Sequence, residues 1–364
     1  MMARLGDYCT NASSNIKQSD LEKRDGIYPI YGASGLIKCV DFYVQDKPYI
    51  AVVKDGAGVG RVLKLPAYSS VIGTLQYIIP NEDVELEYLA YAMEYMNLAK
   101  YQTGATIPHI YFKDYSKAEF NISDVGVQKE ITKIFNGLDT LIDAKRQQLI
   151  KLDELVKSRF VELFGDPETN PFGWEKVTVG EVCSSIVRGP FGSALKKEFF
   201  VEPNETTYKV YEQKHAIQKS ATIGTYYVTA EKFDELRRFE CVAGDILMSC
   251  SGTMGELYQL PEGCEKGLIN QALCKFTLNE KILPIVFLTY MKQTIGNLET
   301  KGSGIQNIAA VSYVKAMPIN LAPMEVQKQF AAFVEQVDKS KLVVKQSLEK
   351  LEILKKSLMQ KYFG

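Results

Sequence analysis

The sequence predicts an α+β protein in which two mixed α/β globules are joined by two long helices packed as an antiparallel coiled coil. Three observations carry this expectation. A 39-residue segment occurs twice, the stretches before each copy repeat more faintly in the same order, and short β-rich runs broken by turn residues fill those stretches.

The strong repeat comes first. Val127 to Gly165 and Val326 to Gly364 align without a gap and share 13 of 39 positions, among them Val127/Val326, Gln128/Gln327, Asp139/Asp338, Leu149/Leu348, Leu152/Leu351, Phe164/Phe363 and Gly165/Gly364. Neither copy contains proline. Ile131, Ile134, Phe135, Leu138, Leu141, Ile142, Leu149, Leu152 and Leu155 recur three and four apart, as do Phe330, Phe333, Val337, Val344, Leu348, Leu351, Leu354 and Leu358. That is the period of an amphipathic helix, about 58 Å long at 1.5 Å per residue. A stripe sustained over several heptads suits another helix rather than a sheet. The expected seam sets Leu138, Ile142, Leu149 and Leu152 against Val337, Val344, Leu348 and Leu351. Lys145, Arg159, Lys341 and Lys355 interrupt the stripes, so the seam is expected to be partly polar, with long stems snorkelling at its edge.

The faint repeat orders the rest. Leu5-Gly6-Asp7-Tyr8-Cys9 matches Val179-Gly180-Glu181-Val182-Cys183, and Tyr49 to Pro66 parallels Ile246 to Pro261, with Gly60 opposite Gly255 and Leu65-Pro66 opposite Leu260-Pro261. Thr103 to Ile110 parallels Gly302 to Ile308. Runs such as YIAVV, QYIIP, ILMSC and CKFTL read as strands. A short helix is expected near Leu86 to Tyr101, with its counterpart near Ile282 to Gly296. Asp166-Pro167-Glu168-Thr169-Asn170-Pro171 reads as a helix stop and linker, because proline cannot continue a helix. The expected division is 1–126 globule, 127–165 helix, 166–325 globule and 326–364 helix.

Composition excludes several classes. The 364 residues exceed a single small module, and no apolar run approaches the roughly 18 residues of a membrane span. MMARLGDYCT lacks a basic stretch followed by an apolar core, so a cytoplasmic protein is expected. The seven cysteines, Cys9, Cys39, Cys183, Cys241, Cys250, Cys264 and Cys274, are odd in number and form no C-x-x-C pair, as expected of free thiols. His109 and His215 are the only histidines, which leaves little material for a metal site or a histidine triad.

Motifs narrow the field further. Gly56-Ala57-Gly58-Val59-Gly60 superficially suggests a phosphate loop, but Arg61 to Leu65 continues as strand rather than helix, which favours a β-hairpin with a tight Gly-rich turn. No G-x-x-x-x-G-K-[ST] motif occurs. The Asn/Asp-Pro-Pro-aromatic tetrad that holds a flipped base is also missing, since Asn170-Pro171-Phe172 lacks the second proline. No catalytic constellation emerges, and an enzyme is not expected.

What remains is polar loop chemistry on β-rich platforms. In the first globule this means Lys54, Asp55, Arg61, Thr103, Thr106 and His109. In the second it means Arg188-Gly189-Pro190-Phe191-Gly192-Ser193, Lys196, Lys197, Gln213, Lys214, Ser249, Ser251, Thr253, Gln306 and Asn307. Arg, Lys, Asn and Gln read base edges, while Ser, Thr and Gly amides hold phosphates. For any one of them a solvated loop position is the plainer alternative. The candidate DNA-binding residues are therefore Lys54, Arg61, Thr106, His109, Arg188, Ser193, Lys196, Lys197, Gln213, Ser251, Thr253, Gln306 and Asn307. Yet the chain carries 43 basic and 44 acidic residues, and residues 1–126 hold 12 against 15 and residues 166–325 hold 16 against 19. Tight DNA binding would need another subunit to neutralise phosphates.

Taken together, the pattern resembles the specificity subunit of type I restriction-modification enzymes over essentially the whole chain. The resemblance rests on the two spaced helices, on FVELFGDPETNPFGW (Phe160 to Trp174) followed by Val179-Gly180-Glu181, on the starts LGDYC and VGEVC, and on YPIYGASGLIKCVDFY (Tyr28 to Tyr43). It implies two target-recognition domains, each reading half of a split double-stranded DNA target. It also implies helices that bind two methyltransferase (modification) subunits and act as a ruler, with restriction/translocase subunits joining the complex. AdoMet, ATP and Mg would belong to the partners only, and no membrane role is implied. Helices of about 58 Å can hold two readers roughly one DNA turn, about 34 Å, apart. The alternative is a coiled-coil interaction scaffold with two ligand-binding globules and no DNA role. A single-chain methyltransferase comes third, disfavoured by the missing tetrad.

Overall fold

The structure, a computed structural model, describes every residue except Ala105, Phe191 and residues 301–310; the side chains of residues 192–193 and 296–300 also lie outside the description. The chain forms two units, Met1–Leu149 with Val343–Gly364, and Ile150–Leu342.

In the first unit the strands are β1 (Met2–Arg4), β2 (Cys9–Ser13), β3 (Tyr28–Gly32), β4 (Gly35–Val40), β5 (Tyr49–Val53), β6 (Val62–Leu65), β7 (Ser70–Val71) and β8 (Leu75–Pro80). Then come α1 (Leu86–Met96), α2 (Phe112–Tyr115), β9 (Glu119–Asn121) and the long α3 (Val125–Phe164). A four-stranded antiparallel sheet runs in the order β2-β8-β5-β6, and a smaller sheet β4-β3-β7 lies beside it, with β3 parallel to β7. All five residues of β5 are buried, as expected of a central strand covered on both faces.

The second unit repeats this plan. Its elements are β10 (Glu175–Thr178), β11 (Cys183–Arg188), β12 (Tyr208–Tyr211), α4 (Gln213–Gln218), β13 (Tyr227–Val228), α5 (Ala230–Glu235), β14 (Glu240–Cys241), β15 (Ile246–Ser249), β16 (Leu257–Gln259), β17 (Gly267–Ile269) and β18 (Leu273–Leu278). They are followed by α6 (Pro284–Thr300), α7 (Val311–Lys315), β19 (Pro318–Leu321) and α8 (Met324–Phe363). The order β11-β18-β15-β16 mirrors the first large sheet, and β13-β12-β17-β14 mirrors the smaller one with a strand added and β12 parallel to β17. The matched starts make the same turn. Leu5 and Gly6 N–H donate to the Ala118 and Ser116 carbonyls, and Val179 and Gly180 N–H donate to those of Met317 and Lys315.

A buried glutamine pins each long helix to its globule. The Gln128 side chain accepts from Glu85 N–H (2.8 Å) and donates to the Ser123 (2.8 Å) and Asp83 (3.3 Å) carbonyls. Gln327 does the same with Leu283 N–H (2.9 Å) and the Ala322 and Lys281 carbonyls (2.9 Å each). These groups sit at the start of α1 or α6 and just before the long helix, where backbone donors and acceptors lack ladder partners.

The long helices run antiparallel within each unit. In the first, Phe135 stacks on Phe363 (5.7 Å between centroids), Lys355 bonds Asp139 (2.6 Å) and Arg146 pairs with Glu352 (2.8 Å). In the second, Phe160 meets Phe330 (5.4 Å) and Lys341 pairs with Asp153 (2.7 Å). Of the residues expected at the seam, Leu138, Ile142, Val337 and Val344 are buried, and Leu149, Leu152, Leu348 and Leu351 are half-buried. Ile134, Leu141, Leu155 and Leu354 of the same apolar periods face solvent instead, 41 to 51% exposed. The stripe is wider than one partner helix covers.

Two local expectations need correction. The helix expected to Tyr101 stops at Met96, because Asn97 adopts a left-handed conformation and a short 3-10 turn, Leu98–Tyr101, follows. The Gly-rich turn is not tight: register ends at Val52 opposite Val62, and Gly56, Gly58 and Gly60 all take positive φ in a wide loop.

Replacing Gln128 with Leu keeps its bulk but strands the Glu85 N–H and two carbonyls. Denaturant unfolding of the full chain is expected to show about 1 to 3 kcal/mol lower stability for the transition that involves the first unit; an unchanged midpoint would remove the staple from the account of the fold.

Candidate nucleic-acid interface

Each unit gathers its polar loops at one edge of its sheets. In the first, Lys54 and Asp55 N–H both donate to the Thr74 carbonyl, Gly56 N–H donates to that of Pro108 (2.9 Å), and Ile110 N–H donates to that of Lys54 (2.9 Å). Arg61, exposed, reaches across to the Ala33 carbonyl (2.8 Å), which ties the loop to the turn between β3 and β4. A Cβ at Gly60 would collide with the backbone at Leu98–Ala99, so only glycine lets the loop lie so close to the end of α1. Thr103 and His109 exchange backbone hydrogen bonds (2.8 and 2.9 Å) and close a small hairpin whose tip carries Thr106, exposed, and Ile107. His109 Nδ1 lies 3.1 Å from the Asp55 carboxylate, and the Tyr111 hydroxyl lies 2.8 Å from its Nε2. Lys54, Arg61, Thr106 and His109 thus fall in one loop cluster of the first unit.

The second unit builds the equivalent edge. Cys250 N–H donates to the Ala272 carbonyl (2.8 Å) as Lys54 does to Thr74, and Asn270 N–H donates to that of Tyr211 (3.0 Å) as Ile72 does to Tyr31. Arg188, half-buried at the end of β11, points its Nε at the Gln271 carbonyl (3.5 Å). A Cβ at Gly189 would overlap the Asn270 backbone, which draws these two loops together. Gln213, half-buried at the start of α4, lies beside Gly252 in the loop that carries Ser251, half-buried, and Thr253, exposed. Lys196, paired with Glu198 (3.5 Å), and Lys197 are exposed around the short turns after Gly192. For Ser193 the backbone alone is described, in the turn Gly192–Leu195, and Gln306 and Asn307 lie outside the described residues.

Charge and burial tune this second edge. The Cys274 thiol hydrogen-bonds Cys250 and holds its thiol below the ordinary value, aided by the Arg188 guanidinium. The fully buried His215 accepts from Glu212 N–H at Nδ1 (2.9 Å) and donates from Nε2 to the Ile223 carbonyl (2.7 Å). Burial lowers its pKa, outweighing its backbone partners and Glu212, with Lys209 adding to the depression.

Sequence reasoning missed Tyr111 and Gln271. Tyr111 lies between Ile110 and Phe112, in an apolar run that gives no signal of a polar role. Gln271 sits in a turn with no spacing pattern.

The chain is an α+β protein with two copies of one sheet plan, each presenting a polar loop edge and each packed on its own stretches of α3 and α8. The chain matches the type I restriction modification DNA specificity domain over residues 1–154 and again over 171–353, and it belongs to that family. Its fold is similar to the crystal structure of the type I restriction-modification S subunit from M. genitalium: TM-score 0.57 and 15% identity, covering 100% of this chain and 96% of that one. A chain from a structure describing complex assembly and conformational transition of the type I R-M system matches with TM-score 0.62 and 13% identity, covering 100% and 97%. Among the described residues no helix is long and apolar enough to cross a membrane.

His215 makes a pH prediction. Because its folded pKa lies below the ordinary 6.5, its neutral form stabilises the second unit fully above that value, and this contribution is lost as pH falls through the depressed folded pKa. The stability difference between wild type and His215→Asn, from denaturant unfolding, is expected to shrink between pH 7 and pH 5. A constant difference would mean that the ring does not titrate in this way.

Proposed function

We propose that each unit reads one half of a split double-stranded DNA target and that the long helices dock methyltransferase (modification) subunits, with restriction/translocase subunits completing the complex. The observation that carries the reading is the matched pair of loop edges: the backbone framework is the same, while the side chains differ, as Lys54-Asp55-Gly56 against Cys250-Ser251-Gly252. A duplicated reader of two different half-sites requires this combination. The chain itself acts without catalysis; AdoMet, ATP and Mg belong to its partners.

Docking is supported by the uncovered part of the helix stripe. Val127, Ile134 and Leu141 are seven residues apart and 49, 41 and 51% exposed in the first unit. Apolar side chains in such a row mark a helix face that another protein covers. With formal charge near zero on this chain, a docked partner also supplies cations for the phosphate backbone.

The main experiment maps methylated adenines in cells with and without this chain. Replacing residues 1–126 with the matching domain of a relative is expected to change one half of the methylated sequence and leave the other half and the gap unchanged. Changes in both halves would mean that the readers are coupled. Arg188→Ala is expected to weaken cognate binding by about 1 to 3 kcal/mol and relax one base position, whereas loss of a phosphate contact would weaken all sequences alike.

On the helices, Leu141→Asp places a charge on an exposed site and leaves the fold intact. Co-purification with the methyltransferase is expected to fall sharply, while Leu149→Asp, at a half-buried position, is expected both to weaken assembly and to loosen the helix pair. An intact complex from Leu141→Asp would move the docking surface elsewhere.

A further inference from the structure

The hairpin between Thr103 and His109 combines two properties that a merely solvated loop does not need: a braced base and an apolar tip. The base is held by the reciprocal Thr103–His109 backbone bonds, by the Thr103 hydroxyl donating to the His109 carbonyl (3.2 Å), by Gly56 N–H on the Pro108 carbonyl and by Ile110 N–H on that of Lys54. The His109 ring is gripped on both sides, by Asp55 at Nδ1 and Tyr111 at Nε2. At the tip, Gly104 takes φ +90° and packs under the Ile107 carbonyl, where a Cβ would not fit. The result is that Ile107 stands 65% exposed, between Pro108 and the exposed Thr106.

Exposing a β-branched apolar side chain on a rigid support gives nothing to the stability of the unit, since the hydrophobic effect favours its burial. Proteins that bind the minor groove of DNA use such a side chain as a wedge: Ile, Leu, Phe, Met or Pro enters between two base pairs, partly unstacks them and kinks the duplex toward the major groove. Unstacking costs energy, so the wedge works only if its support does not yield. The seven hydrogen bonds around the hairpin base supply that stiffness.

We propose that Ile107 is a base-step wedge: on binding, it inserts at one step of the half-site read by the first unit and makes that reader sensitive to the deformability of the step as well as to base edges. The inference rests on the reading of this unit as a DNA reader. Asp55, His109 and Tyr111 are then positioning residues that hold the finger rather than contacts that read sequence.

The experiment uses the full chain with its methyltransferase subunits and duplexes of the mapped target in which 2-aminopurine replaces adenine at successive steps of the first unit's half-site, excluding the methylated adenine, which the methyltransferase itself unstacks. Wild type is expected to raise the emission at one step only. Ile107→Ala, a change at an exposed site that leaves the circular dichroism unaltered, is expected to abolish that rise and weaken cognate binding roughly tenfold, with the salt dependence unchanged because no phosphate contact is lost. Ile107→Leu is expected to restore both signals. A rise that persists in Ile107→Ala would overturn the wedge, as would wild-type emission that stays flat at every step while sequence-specific binding is normal; in both cases the half-site reading survives. If wild type shows no sequence-dependent binding, the underlying reading falls and the wedge with it.

Discussion

The helix pair closes both hydrophobic cores, and the sheets that carry the polar loop edges depend on that closure. In the first unit Phe135 and Phe363 stack beside Tyr88, whose ring lies 5.0 Å from Phe363, and Met359 joins the same buried cluster. In the second, Phe160, Phe164 and Phe330 form an equivalent triangle at 4.5 to 5.5 Å against the core below Tyr290. Aromatic pairs at these separations add about 0.5 to 1.5 kcal/mol each beyond their buried area. Neither sheet arrangement buries its second face without them. The first unit also draws its helix residues from both ends of the sequence, since Asn121 hydrogen-bonds the carbonyl of Gly364, 243 positions away. Such long-range closure is slow to form and cooperative once formed.

Because the framework is shared, its differences are informative. The second unit inserts α4 between β12 and β13, where the first joins β3 to β4 by a turn, and α5 and β14 between β13 and β15, where the first has the loop 41–48; the insertion brings its own small core around Val210, Phe233, Leu236 and Leu268. Lys209 is buried in this region at 2% exposure, answered by Glu265 at 2.8 Å. The insertion itself carries Gln213 at the start of α4, a helix tied down by the buried His215 on the Ile223 carbonyl, where the first unit has the Asp55–His109–Tyr111 chain. Two units built on one plan thus hold their loop edges by different contacts on matching sheets.

Much of this was legible in the sequence. A period of 3.6 residues over 39 positions has no competing reading, and the LGD and VGE starts matched because both make the same backbone turn. The boundary between the units was not legible. It falls at Leu149–Ile150 and Leu342–Val343, inside continuous helices, where the local chemistry does not change. Nor could periodicity tell Leu138, buried, from Leu141, exposed: both belong to one wide apolar face, and only the position of the second helix divides it. Asp55, His109 and Tyr111 lie 54 and 2 positions apart, and their meeting is a product of the β5–β6 loop folding onto the later hairpin. The loop itself was misjudged as tight because glycine spacing reports freedom of φ, not the number of residues a turn spans.

Two of the four cations that interrupt the apolar stripes, Lys341 and Lys355, answer a problem that hydrophobic packing leaves open. Leucine-rich stripes pack nearly as well after sliding by one heptad, so an apolar seam alone fixes orientation more firmly than register. Lys355 sits 23% exposed between Asp139 (2.6 Å) and Glu94 (3.7 Å), with its ammonium 5.3 Å from the centre of the Tyr91 ring. Burial raises the Glu94 carboxyl above its ordinary range, and Lys355 works against that rise. In the second unit Lys341, 19% exposed, bridges to Asp153 across the seam and to Asp338 on its own helix (3.5 Å). A slip of seven residues would take the partly buried Lys355 from Asp139 and Lys341 from Asp153, leaving Lys341 only the carboxylate on its own helix, a larger penalty than the loss of a surface ion pair. Asp139 and Asp338 are equivalent in the repeat yet answer lysines in different ways, one across the seam and one along it. Each unit therefore carries its own register lock, and the polar interruptions select the helix alignment on which both loop edges are mounted.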